Sequence, residues 1–214
     1  GADAIVAQPG IRSVGDLRGK RVAVEDTALG DYVLGRALQL HGLRDDDVSP
    51  VSLTVDETVD AFEGGKAEAV VTFEPFKTAV MKLGGVKIFD SSEIPDEIVD
   101  VLIVRAEFAE SHPAAVKAVV AGWLRANGMI NAQRSDVLRE VAARLKITEP
   151  ELALVLRDLK VPMVDENSNL LAARGGLAGT SKKLIPILER RNHAAFHVVP
   201  ADLLTTEFLP EAAL

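Results

Sequence analysis

Cysteine is absent from the 214 residues. Disulfides, zinc–thiolate sites, iron–sulfur clusters and cysteine nucleophiles are thereby excluded. Basic charge is in deficit, with 24 Lys and Arg against 32 Asp and Glu and a formal net charge of −8. Without a basic stripe to neutralise phosphates, no nucleic acid is expected as a partner. Long apolar runs are also missing. The longest, Ala114–Ala121, is broken by Lys117 and falls far short of the about 20 residues that cross a bilayer. No membrane-spanning segment is expected in this chain. The start, Gly1-Ala2-Asp3, has neither a methionine nor a basic or apolar leader pattern, so a processed or trimmed chain is expected. No internal repeat or low-complexity tract is found.

What is present suits a folded protein. At 48% hydrophobic and 26% charged, the chain can bury a sizeable core as one generous domain or two small lobes. Lys20–Glu25, Val48–Leu53, Ala67–Phe73 and Val86–Phe89 read as strands. Helical spacing joins Leu29, Tyr32, Val33, Arg36, Ala37 and Leu40, and further helices are expected over Asp56–Phe62 and Pro75–Leu83. Gly42, Gly64-Gly65 and Gly84-Gly85 punctuate the joints. Strand–helix alternation of this kind predicts a mostly parallel sheet covered on both faces. Ile98–Arg105 reads as an apolar strand interrupted by Asp100. Beyond it the periodicity is helical, over Pro113–Gln133, Ser135–Lys146, Glu149–Leu159 and Ser181–Arg191. Asp3–Ala7 and Ile98–Arg105 are expected to cross between lobes at a hinge. The organisation so expected is a crossing strand and connection over 1–19, an α/β lobe over 20–97, and a return strand with a helical C-terminal part over 98–214.

Several runs resemble one family in order and spacing. They are Gly1-Ala2-Asp3-Ala4-Ile5-Val6-Ala7, Ile11-x-Ser13-Val14-x-Asp16-Leu17-x-Gly19-Lys20-x-Val22-Ala23-Val24, Ala61-Phe62-x-x-Gly65-Lys66-x-x-Ala69-Val70-Val71-Thr72-x-Glu74-Pro75, and Phe89-Asp90-Ser91-Ser92-Glu93-Ile94-Pro95. Together they resemble the periplasmic solute-binding proteins of ABC importers, in the branch that serves nitrate, sulfonates, taurine and thiamine-pyrimidine precursors. The resemblance implies an α/β, two-lobe type II periplasmic-binding fold: a parallel-type sheet lobe plus the helical C-terminal part of the other lobe. It implies capture of a small nitrogen- or sulfur-containing solute in an interlobe cleft, a membrane permease as partner, a periplasmic or extracytoplasmic location, and no covalent chemistry. A first strand and helix of lobe one, present in such proteins, have no counterpart in this sequence.

The candidate ligand-binding residues are Glu25, Asp26, Thr27, Asp31, Tyr32, Thr72, Glu74 and Asp100. Glu25-Asp26-Thr27 stands where a strand gives way to a helix, a place where ligands are met in α/β sheets, although Asp26 or Thr27 equally serves as a helix cap. Tyr32 offers a ring to stack or a core side chain. Thr72-Phe73-Glu74-Pro75 is a second strand end. The resemblance turns Glu74 to the ligand and makes Phe73 or Phe76 a pocket wall, while a carboxylate at a helix start also answers to the macrodipole. Asp100, costly inside an apolar strand, is expected to pair with Arg105, Lys20 or Arg21 or to face the cleft. Carboxylates on one wall favour an amine, a protonated ring nitrogen or a zwitterion over a bare anion, because the candidate positions lack basic groups.

No cofactor and no metal site is expected. His41, His112, His193 and His197 have no metal-ligand spacing beyond the weak His193-x-x-x-His197, and they read as surface residues. Gly175-Gly176-Leu177-Ala178-Gly179 lacks the Gly-Lys-Ser/Thr of a phosphate loop and reads as a loose connection. Trp123 reads as core. Two alternatives belong to other classes. One is a ligand-sensing effector domain of a regulator. The other is a thiamine-pyrimidine synthesis enzyme, which the resemblance ties to a cysteine-rich motif absent from this chain.

Overall fold

A computed structural model, describing residues 1–172, 176–190 and 203–211, turns the glycine-bounded apolar runs into five strands. They are β1 (Ala4–Ala7), β2 (Arg21–Glu25), β3 (Ser49–Leu53), β4 (Ala69–Thr72) and β5 (Val86–Asp90). Their order across one sheet is β3-β2-β4-β1-β5. β2 runs parallel to β3 and β4, whereas β1 is antiparallel to both β4 and β5. The sheet is therefore mixed rather than parallel throughout. Ala4–Ala7, expected as a crossing strand, is an interior strand of this sheet, with all four residues 0% exposed. An Ala-Ile-Val-Ala run has apolar side chains for both faces, which suits a strand covered on both sides.

Three helices connect these strands: α1 (Ala28–Leu40), α2 (Thr58–Glu63) and α3 (Phe76–Lys82). α1 begins because Thr27, in extended conformation, accepts a hydrogen bond from the Gly30 amide. It ends before Gly42, which supplies the positive φ of 71° that a side chain would resist. One sheet face buries Ala4, Val6, Ala23 and Val70 against Ala67, Phe62 of α2 and Val80 of α3. Val22 and Val24, of opposite parity in β2, point to the face that carries α1. The approach there is close, since a Cβ on Gly30 would lie 2.6 Å from the Glu25 carbonyl oxygen and 2.9 Å from Val24 Cγ2. Residues Gly1–Ile98 of this region form the first of two compact units.

The second unit, built on Val99–Leu184, is helical. It holds α4 (Ala106–Ser111), α5 (Pro113–Asn131), α6 (Ser135–Leu145), α7 (Glu149–Arg157) and α8 (Val164–Leu171), and α9 (Gly176–Arg190) follows, its residues from Ile185 onward belonging to the first unit. α7 shows the local logic well. Thr148 caps the Glu151 amide, Glu151 answers on the Thr148 amide, and Pro150 sits in the first turn. Three expectations are corrected here. Ile98–Arg105 forms no strand, and Val101 (55%), Leu102 (48%) and Ile103 (84%) are exposed. A strand requires a neighbour for its amides, and among the described strands none pairs with this segment. Trp123, 57% exposed, is not a core residue, because the apolar stripe of α5 is covered along Val116 and Leu124 and left open along Val119 and Trp123. Gly176 and Gly179 lie within α9 instead of loosening a connection.

Candidate functional site at the end of the sheet

The strand directions gather the candidate residues at one rim. β2, β3, β4 and β5 all end there, and the antiparallel β1 begins there. From β2 the chain leaves through α1 towards β3, and from β4 it leaves through α3 towards β5, on the other side. β2 and β4 are neighbours whose connections depart in opposite directions. A crevice outside the carboxyl ends of two such strands is the place where open α/β sheets take ligands.

Glu25, Asp26 and Thr27 follow β2 at this crevice. Asp26 is exposed, Glu25 and Thr27 are half-buried, and the Thr27 hydroxyl, besides capping α1, lies 3.4 Å from Glu25 Oε2. Asp31 stands in the first turn of α1, its amide bonded to the Thr27 carbonyl. On β4, Thr72 is 3% exposed, and its hydroxyl has no hydrogen-bond partner. β2 and β4 pair through Val22↔Ala69 and Ala23↔Val70, and Glu25 and Thr72 end the two strands beyond those pairs.

Glu74 is placed differently from a ligand-facing wall. Its side chain is 6% exposed, with Oε1 lying 3.3 Å from Lys77 Nζ and Oε2 accepting from the Thr78 amide at 3.1 Å. The Glu74–Pro75 peptide is cis. Lys77 is itself buried, and its Nζ donates to the Gly1 carbonyl at 3.1 Å. Sequence reasoning missed this lysine, since a Glu-x-x-Lys spacing looks like a solvated i,i+3 pair. A cation thus does stand after β4, contrary to the expectation that basic groups were lacking, but it is engaged by Glu74. Phe73 and Phe76, both half-buried, meet edge to face with ring centroids 6.3 Å apart.

Two candidates lie away from the rim. Tyr32 is 3% exposed, and its hydroxyl donates to Glu97 Oε2 at 2.6 Å. Arg36 grips the same carboxylate through Nε at 2.6 Å and Nη2 at 2.8 Å. Burial, and then the bond to Glu97, pushes the Tyr32 phenol well above its ordinary pKa. With its ring enclosed and its hydroxyl spent, Tyr32 packs and anchors. Asp100 is exposed on the irregular stretch of the second unit. Arg21, one of its expected partners, is bound instead to Glu68, with Nη2 2.6 Å from Oε1. That pair stands at the opposite end of the sheet and holds the Glu68 carboxyl down at about 2.

Among the described residues, no group of three or more His, Asp or Glu comes together as a metal site, and no helix is long and apolar enough to cross a membrane. His41 is exposed and bonds the Ala37 carbonyl through Nδ1 at 2.9 Å, while His112 stacks on Phe108 at 4.7 Å. His193 and His197 lie outside the described residues.

The sequence matches the NMT1-like family over residues 6–146. This chain belongs to the NMT1-like family. It is similar to the taurine-binding periplasmic protein of Escherichia coli (strain K12), 32% identical over 120 residues that cover 55% of this chain and 37% of that protein. The chain spans about half the length of the first relatives it matches in sequence, 46% and 49%. In fold it is similar to the crystal structure of the periplasmic aliphatic sulphonate binding protein SsuA from Escherichia coli. That likeness has a TM-score of 0.76 at 19% identity and covers 95% of this chain and 68% of that one. The desulfurization enzyme DSZB shares the fold at a TM-score of 0.59 and 17% identity, covering 97% and 74%. The architecture of this NMT1-like chain is therefore that of the periplasmic-binding-protein-like proteins, a fold that also houses an enzyme.

Proposed function

We propose that the chain belongs to the substrate-binding component of an ABC importer, a periplasmic or extracytoplasmic protein that captures a small sulfonate, taurine-like or nitrogen-containing solute and passes it to a membrane permease. The observation that carries the reading is the family match over residues 6–146 combined with polar residues at the point where β2 and β4 diverge. In this reading Glu25, Asp26, Thr27 and Asp31 meet the solute at the start of α1, with Thr72 beneath them and Phe73 and Phe76 as an apolar flank. The Glu74–Lys77 pair holds the start of α3 in place. Binding by fixed hydrogen-bond groups requires neither a nucleophile nor a cofactor, and the sequence contains no Gly-x-Ser-x-Gly elbow and no cysteine. A non-catalytic role follows from the same reading.

Isothermal titration of the 214-residue chain with taurine, ethanesulfonate, nitrate and an aminopyrimidine tests it. Saturable heat from at least one solute, weakened in Asp26→Asn, is expected. Silence from all four removes the reading.

A further inference from the structure

Val99–Arg105 opens the second unit without a helix, a turn or a bend. Among the described residues, no amide from Ile98 to Arg105 donates to a backbone carbonyl. The run is rich in β-branched residues, and its apolar side chains stand open, up to 84% for Ile103. Both ends are tied down. Before it, Glu97 is held by Tyr32 and Arg36. After it, the Arg105 carbonyl accepts from the Phe108 and Ala109 amides at 3.1 and 3.0 Å. What lies between is an unbent, unpaired strand open to an outside partner.

When a partner adds a strand, main-chain hydrogen bonds supply affinity and side-chain pockets choose the residue. Endoproteases read a substrate in this way, and they favour exposed segments whose backbone is already free. The exposed apolar residues Phe108, Val119, Trp123 and Leu145 lie in helices instead, where the chain must open before it can be cut. Leu102 is the one apolar side chain from Ile98 to Arg105 without a branch at Cβ, which suits a deep apolar pocket. Four residues of Val99–Arg105 precede the Leu102–Ile103 bond and three follow it. We infer that Val99–Arg105 is a recognition segment for an endoprotease with an apolar primary pocket, which cuts the Leu102–Ile103 bond. The step is a hydrolysis. The C–N bond breaks, the hydroxyl of water goes to the Leu102 carbonyl carbon, and its proton goes to the Ile103 nitrogen.

Brief digestion of the folded 214-residue chain with chymotrypsin, whose pocket is a hydrophobic slot, tests this by intact mass and N-terminal sequencing. The expected first products are residues 1–102 and 103–214, with Ile103 at the new N-terminus. Leu102→Asp removes the side chain for the pocket, and Ile103→Pro removes a strand-pairing amide. Each should slow this cut about tenfold or more, with thermal unfolding unchanged because both positions are exposed. A first cut at Trp123, near Leu203 or at any other bond overturns the inference, as does an unchanged rate in both variants. A Leu102 cut that appears only in urea also overturns it, because the segment is then covered in the folded chain. Solute titration of the uncut chain tests the importer reading separately, so either can fail alone.

Discussion

The two units bury their apolar residues to different degrees. In the first, β1 and β2 carry residues with no exposed surface, and Phe62 and Phe89 are each 1% exposed. In the second, the fully covered positions are few, among them Val116, Leu124, Ala142 and Leu152, while Val101, Leu102, Ile103, Phe108, Val119, Trp123 and Leu145 stand open. Residues 1–98 also carry the whole net charge of the chain. A sheet covered by helices on both faces closes its own core, and charge can then be placed on its rim without cost to packing. Helices with one apolar stripe each close a core only where a neighbour covers that stripe.

The contrast can be broken most directly at Phe62. Phe62→Ala should destabilise the sheet unit by about 3–5 kcal/mol, read as a lowered urea midpoint by circular dichroism. Survival of the midpoint would mean that the first unit does not depend on this core. Glu97→Ala comes next. It leaves the Arg36 guanidinium, with its side chain 15% exposed, without its carboxylate and frees the Tyr32 hydroxyl, at a cost of about 3 kcal/mol. A Tyr32→Phe variant on that background should add little, because the two lesions share one interaction.

A smaller effect is set by pH. Glu68 has a folded pKa of about 2 against an ordinary 4.5, lowered chiefly by its bond to Arg21. Its contribution is complete above the unfolded value and is lost as pH falls through the folded one. Stability of the sheet unit should therefore decline between about pH 4.5 and pH 2, and Glu68→Gln should flatten that decline. The smallest effect belongs to the second unit. Trp123→Ala should change stability by no more than about 0.5 kcal/mol, with a large loss showing that the open stripe of α5 is in fact covered in solution.

Much of the sheet unit was legible because its signals are local. Val22-Ala23-Val24 and Ala69-Val70-Val71 are apolar runs bounded by turns, and Thr27 announces α1 by a cap that acts over three residues. What could not be read depends on distant neighbours. Nothing in Ala4–Ala7 states that it inserts antiparallel between β4 and β5, since the partners lie 62 to 86 residues away. The Ile98–Arg105 run has the composition of a strand but, among the described residues, no strand beside it, and composition cannot register a missing partner. The candidate rim divides in the same way. The place of Glu25-Asp26-Thr27 between a strand and a helix is a local signal, whereas the bond from Tyr32 to Glu97 spans 65 positions. The enclosure of Glu74 with Lys77 depends on how α3 seats against the start of β1.

The interior position of β1 also bears on how the protein is made. Ala4–Ala7 is synthesised well before its second neighbour, which is complete only when Asp90 has been added. At about 5–20 residues per second, that interval is roughly 4–17 s. For those seconds the Ala-Ile-Val-Ala segment lacks its β5 partner, a natural handle for a nascent-chain chaperone.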